Sequence, residues 1–409
     1  MKKSSIPRLL QTILFAALAA LFLADVVTSA EPGRTEKNGF HVVTLEGSPY
    51  DMGLQQGKLF RDEIQEVYKI YLEELLYKDW IKSIALLKGD SKTHKNPSKA
   101  MLKFAKGVES YIPEEYKEEM KGIAEGAGLE YEQVLNMSVH VDYLATIFCS
   151  TFVASGDATA DGKLIEGRNL DWAKGKLKEM DRHSTIAVFK PDRGHHFVSI
   201  IYPGIVGVFT AVNDKKLTAE VNFSMSKENA ETGMPILIIM RHLVQNAGTL
   251  DEAEQLLRNT GRIAGYNITV ADGKTNDARL IEIASYGVGA LGLTNNSLVS
   301  TNHFITEQLT GGNFDYSYTS SKPSPERFAR LKELIEKNFG KIDPEIAISM
   351  MQDDGVQVDG TVQTVIFKPA DDLIWVWARN REQGDFAEFN VAELLGKQAV
   401  EPGAPEPGH

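Results

Sequence analysis

The stretch Phe148–Trp172, "FCSTFVASGDATADGKLIEGRNLDW", holds the only cysteine of 409 residues and sits where the texture of the chain changes. Its two β-rich runs, "STFVAS" and "LIEGRNL", flank the turn signal "GDATADGK", so the segment reads as a hairpin whose first strand begins at Cys149. A lone thiol is either a small buried hydrophobe, the common state of free cysteine, or a nucleophile.

Upstream, from Gly47 to about Leu144, the sequence reads as helical. Phe60, Ile64, Val67, Tyr68, Tyr71 and Leu75 recur at spacings that place them on one helix face. The polar stretch "KGDSKTHKNPSK" reads as an exposed loop. "MLKFAKGVESYI" is a second helix, and "PEEYKEEMKGIAEGAG" opens at Pro113, a suitable first helical position, and ends at glycines. Downstream, "STIAVF", "FVSIIY", "VGVFTAV", "LTAEVNF", "YNITVA", "ARLIEIA", "TVQTVIF" and "LIWVWA" are short strands between turn signals. Three helices sit among them: "TLDEAEQLL" with Thr249 and Glu252 in a capping-box pattern, "SPERFARLKELIEKNFG", and "DPEIAISMMQDDG". Hairpin-linked strands with helices in blocks predict an α+β fold of antiparallel sheets covered by helices. With no turn-rich linker ahead of Cys149, one structural unit is expected.

The first thirty residues carry Lys2, Lys3 and Arg8, an apolar run from Thr12 to Ala24, and small residues at Thr28 and Ala30, the layout of a secretory signal peptide cleaved near Ala30. The competing reading is an uncleaved anchor, but Asp25 ends the run short of the ~20 residues that a membrane span needs. Loss of the leader takes the formal charge from −12 to −14, because three positive groups and one negative leave with it. That acidity argues against nucleic acid or an anionic membrane as partner. An exported chain with one cysteine has no internal disulfide, and the thiol is an oxidation liability that calls for a reason.

Other motifs fall away. Gly287, Gly289 and Gly292 satisfy G-x-G-x-x-G, but turn and strand follow where a dinucleotide site needs a helix. "DGKT" lacks the upstream glycine of a P-loop, G-x-S-x-G does not occur, and the nine histidines show no H-E-x-x-H spacing, so no metal or organic cofactor is implied. Trp375 and Trp377, two apart on one strand face, read as core.

A cysteine at the start of a strand acts in one of two ways. A neighbouring imidazole takes its proton, or the preceding bond is cleaved and the freed α-amine is the base. The second explains a nucleophile in mid-chain. "CSTFVASGDATADGKLIEGRNLDW" resembles the β-chain start of the isopenicillin-N acyltransferase-like, autoproteolytic acyltransferase/hydrolase family of N-terminal nucleophile hydrolases, and "LEGSPYDMGLQQGKLFRDEI" resembles that family's G-x-x-Y-x-x-G-x-x-x-G segment. Choloylglycine hydrolases and the acid ceramidase group are more distantly similar.

The resemblance implies a four-layer αββα sandwich with a helical N-terminal segment. It also implies cleavage between Phe148 and Cys149, and an N-acyl amide as small-molecule substrate. It gives Cys149 as nucleophile, Arg168 and Asp171 of "GRNLDW" beside it, and Asn222 and Asn302 as oxyanion donors. The hairpin turn lets Arg168 return beside the sulfur, where it favours thiolate. Arg327 and Glu220 are further candidates for substrate binding, Arg327 being equally readable as a solvated residue of an amphipathic helix. Phe148 and Ser150 depart from the residues usual at the cleavage site. The chain then divides into a leader (1–30), a helical chain (31–148), a catalytic segment (149–396) and a Pro/Gly-rich, disordered tail (397–409). The cleaved chains stay associated, nothing inserts in a membrane after the leader is lost, and the protein is secreted or periplasmic. Two rivals stand beside this reading: an unprocessed Cys-His hydrolase using His303 or His140, and a non-catalytic binding protein on the same scaffold.

Overall fold

The computed structural model describes residues 33–70, 97–144, 147–172, 181–224, 226–313, 322–379 and 384–397. The leader, most of the "KGDSKTHKNPSK" stretch and residues 398–409 lie outside the described residues, as do Tyr71, Leu75 and the side chain of Phe148. In chain order the elements are β1 (Arg34–Lys37), β2 (Phe40–Gly47), α1 (Pro49–Leu59), α2 (Arg61–Tyr68), α3 (Pro97–Val108), α4 (Glu114–Ala127) and α5 (Tyr131–Leu144). After these come β3 (Ile147–Gly156), β4 (Gly162–Trp172), β5 (Thr185–Pro191), β6 (Phe197–Ile201), β7 (Thr210–Asn213), β8 (Leu217–Phe223), α6 (Ile236–Asn246) and α7 (Leu250–Asn259). The remainder is β9 (Tyr266–Asp272), β10 (Asp277–Ala284), β11 (Gly287–Gly292), β12 (Ser297–Ser300), α8 (Ser324–Lys337), α9 (Pro344–Met351), β13 (Thr361–Lys368), β14 (Leu373–Ala378), β15 (Ala387–Asn390) and α10 (Val391–Leu394).

The strands form two sheets, one in the order β1-β2-β5-β6-β7-β8-β9-β10-β11 and one in the order β12-β3-β4-β13-β14-β15. Side-chain alternation sorts the layers. Leu217, Ala219 and Val221 of β8 pack on α6, whereas Thr218, Glu220 and Asn222 face the second sheet. Val365, Phe367, Ile374 and Val376 of the second sheet meet Ile186, Val188, Val198 and Ile200 of the first. Phe152, Ile165 and Ile366 on its outer face are covered by Leu331, Ile335, Met350 and Met351 of α8 and α9. The order is helices, sheet, sheet, helices: the αββα, α+β arrangement.

One expectation fails in an informative way. β2 pairs with β5 in parallel, not antiparallel. The helices from α1 to α5 and the β3–β4 hairpin lie between them in sequence, and so long a crossover permits parallel pairing. Within that helical block α1 and α4 cross backbone to backbone. A Cβ on Gly53 would lie 2.0 Å from the Glu119 carbonyl oxygen, and one on Gly122 would lie 2.2 Å from that of Tyr50. This is the physical demand behind the glycines of "YDMGLQQG": each helix offers a bare strip to the other.

Several local expectations are also revised. The helix expected through Phe60 is broken there, where φ −125° separates α1 from α2. Pro113 precedes α4 as its N-cap instead of opening it, and Gly128 ends it in the left-handed conformation (φ 70°). The Thr249 side chain caps α7 by accepting from the Glu252 N–H, as the pattern predicts. Helix α6, "ILIIMRHLVQN", escaped sequence reading because it opens on an unbroken apolar run that reads equally as a strand, its polar residues Arg241, His242, Gln245 and Asn246 falling only in the second half. Trp375 and Trp377 stand half-buried on the outer face of β14, and Ile374, Val376 and Ala378 are the core residues. The Gly287–Gly292 run, set aside as a dinucleotide site, is strand β11, paired with β10. Arg241 of α6 donates to Glu119 of α4 at 3.0 Å in a fully buried ion pair, which ties the helices before Cys149 to those after it.

Candidate active site

Cys149 lies on β3, fully buried, opposite Leu170 of β4. The hairpin turn brings Arg168 back one step along the same inward face, opposite Thr151. Its Nη2 donates to Cys149 Sγ at 3.4 Å and to the Val221 carbonyl at 2.8 Å, and its Nη1 donates to Thr210 Oγ1 at 2.6 Å. Arg168 is therefore clamped by both sheets, not loose on a hairpin surface. Burial pushes the Cys149 thiol up to about 11, opposed by the Arg168 charge and by the Asp171 backbone N–H.

The backbone of Cys149 is held from the other side. Its N–H donates to Asn302 Oδ1 at 3.1 Å, and its carbonyl accepts from Arg327 Nη1 at 2.7 Å. Arg327 Nη2 also donates to Asn302 Oδ1, and Asn302 Nδ2 donates to the Phe223 carbonyl at 2.8 Å. These bonds fix the amide orientation: Asn302 offers Cys149 an acceptor, where an oxyanion donor was expected. Arg327, expected to be solvated or functional with equal weight, is 1% exposed. It lies 3.7 Å from Asp171 Oδ2, an oxygen with no hydrogen-bond partner, while Asp171 Oδ1 accepts from Thr361 Oγ1 at 2.7 Å. Burial raises the Asp171 carboxyl to about 6, and Arg327 restrains the rise. Asp171 stands opposite Phe148 across the β3–β4 pair, so this half-satisfied carboxylate belongs to the residue facing the one before Cys149.

Asn222 and Glu220 lie deeper, between the sheets. Asn222 Nδ2 donates to Thr151 Oγ1 at 3.0 Å and to Ser300 Oγ at 3.3 Å, so its donors are engaged two residues along each strand from Cys149 and Asn302. Glu220 Oε2 is 4.0 Å from Arg168 Nε. Glu166, which the sequence reading passed over, accepts from Thr218 Oγ1 at 2.5 Å in the same layer. Burial raises both carboxyls, Glu166 to about 8, and Glu220 further because Glu166 stands beside it.

The residues that hold Asn302 were also missed. Asn267 Nδ2 donates to the carbonyls of Thr301 (3.1 Å) and His303 (2.9 Å), and Ser324 Oγ accepts from the Asn302 N–H at 2.7 Å. Glu282 accepts from the Ile305 and Thr306 N–H groups at 2.6 and 2.9 Å and from the Thr306 hydroxyl. Gly289 is the residue opposite Glu282, and a Cβ there would lie 2.1 Å from Thr306 Oγ1, so the glycine makes room for that bond. Adjacency in sequence signalled none of this; only a buried Asn on a β-rich run, Asn267 in "YNITVA", hinted at it. His140 Nδ1 is bonded to the Met137 carbonyl, and His303 Nδ1 lies 2.7 Å from Ser324 Oγ. Burial lowers both imidazoles, to about 3 and about 4. Among the described residues no group of three or more His, Cys, Asp or Glu could hold a metal ion.

Residues 158–383 match the family model described as acyl-coenzyme A:6-aminopenicillanic acid acyl-transferase. The chain belongs to this acyl-transferase family. The matched residues hold Arg168, Asp171, Asn222, Asn302 and Arg327, and begin after Cys149. Among curated relatives, an uncharacterized protein of Archaeoglobus fulgidus is 29% identical over 75% of this chain and 57% of its own length. Protein dcd1A of Dictyostelium discoideum is 23% identical over 75% of this chain and 72% of its own. An N-acylethanolamine-hydrolyzing acid amidase of Caenorhabditis elegans is 25% identical over 65% of this chain and 76% of its own. The chain thus spans little more than half of the Archaeoglobus relative. Of solved structures, a Caenorhabditis elegans ortholog of that amidase is similar at TM-score 0.42 and 18% identity, covering 54% of this chain and 93% of its own. Penicillin V acylase from Agrobacterium tumefaciens is similar at 0.44 and 14%, covering 62% and 89%. The family description concerns acyl transfer, and the name of the Caenorhabditis relative concerns hydrolysis of N-acylethanolamines.

Proposed function

We propose that this chain is an exported enzyme that cuts itself between Phe148 and Cys149 and then cleaves the linear amide bond of an N-acyl substrate, passing the acyl group to water or to an amine. The observation that carries the reading is the grip on Cys149: Arg168 on its sulfur, Asn302 on its nitrogen and Arg327 on its carbonyl. Three independent bonds to one residue specify the position of both atoms that the chemistry uses.

In self-cleavage the Cys149 sulfur adds to the Phe148 carbonyl, the peptide C–N bond breaks, and the nitrogen takes the thiol proton. The resulting thioester is hydrolysed by water to the Phe148 carboxylate and a free thiol. The new α-amine remains at Asn302 Oδ1, with the unpartnered Asp171 Oδ2 available to it when protonated. In turnover that amine accepts the thiol proton as sulfur attacks the substrate carbonyl, and returns it to the leaving amine. The sulfur in the intact chain is sealed, which is why burial holds its proton; opening the chain admits water and leaves the Arg168 effect in charge. The buried Arg241–Glu119 pair and Asp142, which accepts from the Ile236 N–H at 2.9 Å and the Tyr266 hydroxyl at 2.7 Å, keep the two pieces together. The name of the Caenorhabditis relative suggests N-acylethanolamines as first substrates to try.

The test is intact mass of the purified protein beside a Cys149→Ala variant, followed by assay on N-acyl amides with and without an added amine. Two pieces meeting at Phe148 and Cys149, with the variant whole, are expected. One uncut chain in both would sink self-processing; turnover that then depends on His140 or His303 would indicate the Cys-His enzyme. A thiol slow to alkylate, with no turnover, would indicate the binding protein.

A further inference from the structure

Away from Cys149, a cleft of about 620 Å³ opens at the edge of the sandwich, between the β11–β12 turn and α8. β11 is the last strand of one sheet and β12 the last of the other, so the cleft occupies the end of the space between and beside them. Leu298, Val299, Phe328 and Ile335 form its apolar wall, and Leu291 and Phe339 stand at its mouth. None of the residues that grip Cys149 lines it.

Two features mark it as more than a packing fault. Among the described residues four large hydrophobic side chains are exposed, and two of them, Leu291 (39%) and Phe339 (44%), line this one cleft. Lys332 also lines it, its ammonium 5.9 Å from the Phe328 ring centre and, among the described residues, without an acidic partner in ion-pair range. Glu336 lies one helical turn further along the wall, which leaves the Lys332 end as the place for a carboxylate. The volume falls within the ~300–1,000 Å³ of small-molecule sites, and an apolar wall with a few placed polar groups, here Thr294, Asn295, Asn296 and Ser297 of the turn with Lys332 and Glu336 of α8, is their usual build.

We propose that this cleft is a binding site for a single-chain acyl ligand, its chain along Leu298, Val299, Phe328 and Ile335 and its polar head at Lys332. The chemistry is that of an acyl amide or of the acid released by its hydrolysis, so the proposal rests on the function read above. The cleft also abuts the machinery: Val299 precedes Asn302 by three residues, and Phe328 follows Arg327 and packs its ring edge-on to His303.

Calorimetric titration of uncut Cys149→Ala protein with octanoate, decanoate and dodecanoate, and with the matching N-acyl amides, tests it. One saturable site is expected, with affinity rising about fourfold per added methylene until the cleft is full. Leu291 is exposed at the mouth, on the strand face it shares with the cleft wall, so Leu291→Asp sets a carboxylate on the path of the acyl chain and should weaken binding at least tenfold at nearly unchanged Tm. Lys332→Ala should weaken the acids about tenfold and leave the amides alone. Tight binding of acids alone identifies a product site, and of amides alone a substrate site; both are acyl ligands. Absence of saturable binding, or binding unchanged by Leu291→Asp, overturns the proposal. Because the variant has no nucleophile, the result is independent of self-cleavage and turnover, which fail or succeed in the mass measurement instead.

Discussion

The space between the two sheets has two halves built on opposite principles. On one side β5 and β6 meet β13 and β14 through Val188, Val198, Ile200, Phe367 and Val376, with apolar side chains throughout. On the other, β7, β8 and β9 meet β3 and β4 through Thr151, Glu166, Arg168, Thr210, Glu220 and Thr269, all buried. The apolar half stabilises in proportion to area removed from water. The polar half strips water from one cation and two carboxyls, for which ion pairing compensates poorly. It is this half that ends on the Cys149 sulfur. One layer thus divides into a part that holds the sheets together and a part that keeps a fixed charge beside a thiol.

The most severe test of that division is Arg168→Met. Self-cleavage and turnover should fall by about 10²–10³ or more, the scale of losing one preorganised charge at a reacting atom. Stability in urea should drop about 3–5 kcal/mol, because two buried carboxyls lose the one cation that faces them. Survival of activity in this variant would break the comparison, because the polar half would then be scaffold only. Phe367→Ala probes the other side: about 3–5 kcal/mol lost to transfer and cavity, with cleavage at Phe148–Cys149 complete in whatever remains folded. Should cleavage also fail there, the halves are not separable.

The smallest effect sharpens the contrast through pH. The Glu166 carboxyl is raised by burial to about 8, above its unfolded value of roughly 4.3, so the folded state holds the proton more tightly. Its contribution is fully present below the unfolded value and is lost as pH rises through about 8. Glu166→Gln should flatten the fall in Tm between pH 5 and pH 9, with little change at pH 5. Phe367→Ala should lower the whole curve without altering its slope. A Glu166→Gln profile parallel to that of the unsubstituted protein would mean that Glu166 does not titrate in this range.

Legibility followed the same division. The Phe148–Trp172 hairpin was readable because alternation, a turn signal and a lone cysteine coincide within one short stretch, and Arg168 returns beside the sulfur as that hairpin requires. The capped helix after Thr249 was readable because a cap is a contact between residues three apart. Arg327 was not, since an arginine in an amphipathic pattern looks solvated until the sheet it lies on is known. Helix α6 hid in the apolar run that opens it, and the tryptophans of β14 share one face as their spacing requires but are half-buried there, the core between the sheets being filled by Ile374, Val376 and Ala378.

What the sequence determined by itself was local: where many of the strands, turns and caps fall, and which residue is the candidate nucleophile. Those follow from steric and hydrogen-bonding rules acting within a few residues. Only the tertiary structure decided that β2 runs parallel to β5, that the Asn302 amide turns its oxygen to the Cys149 nitrogen, that Asn267 and Ser324 hold the Asn302 segment, and that Glu282 anchors Ile305 and Thr306 just after it. Each of those depends on partners tens to hundreds of residues apart, whose pairing is selected by burial of the whole sandwich and leaves no periodic trace in the chain.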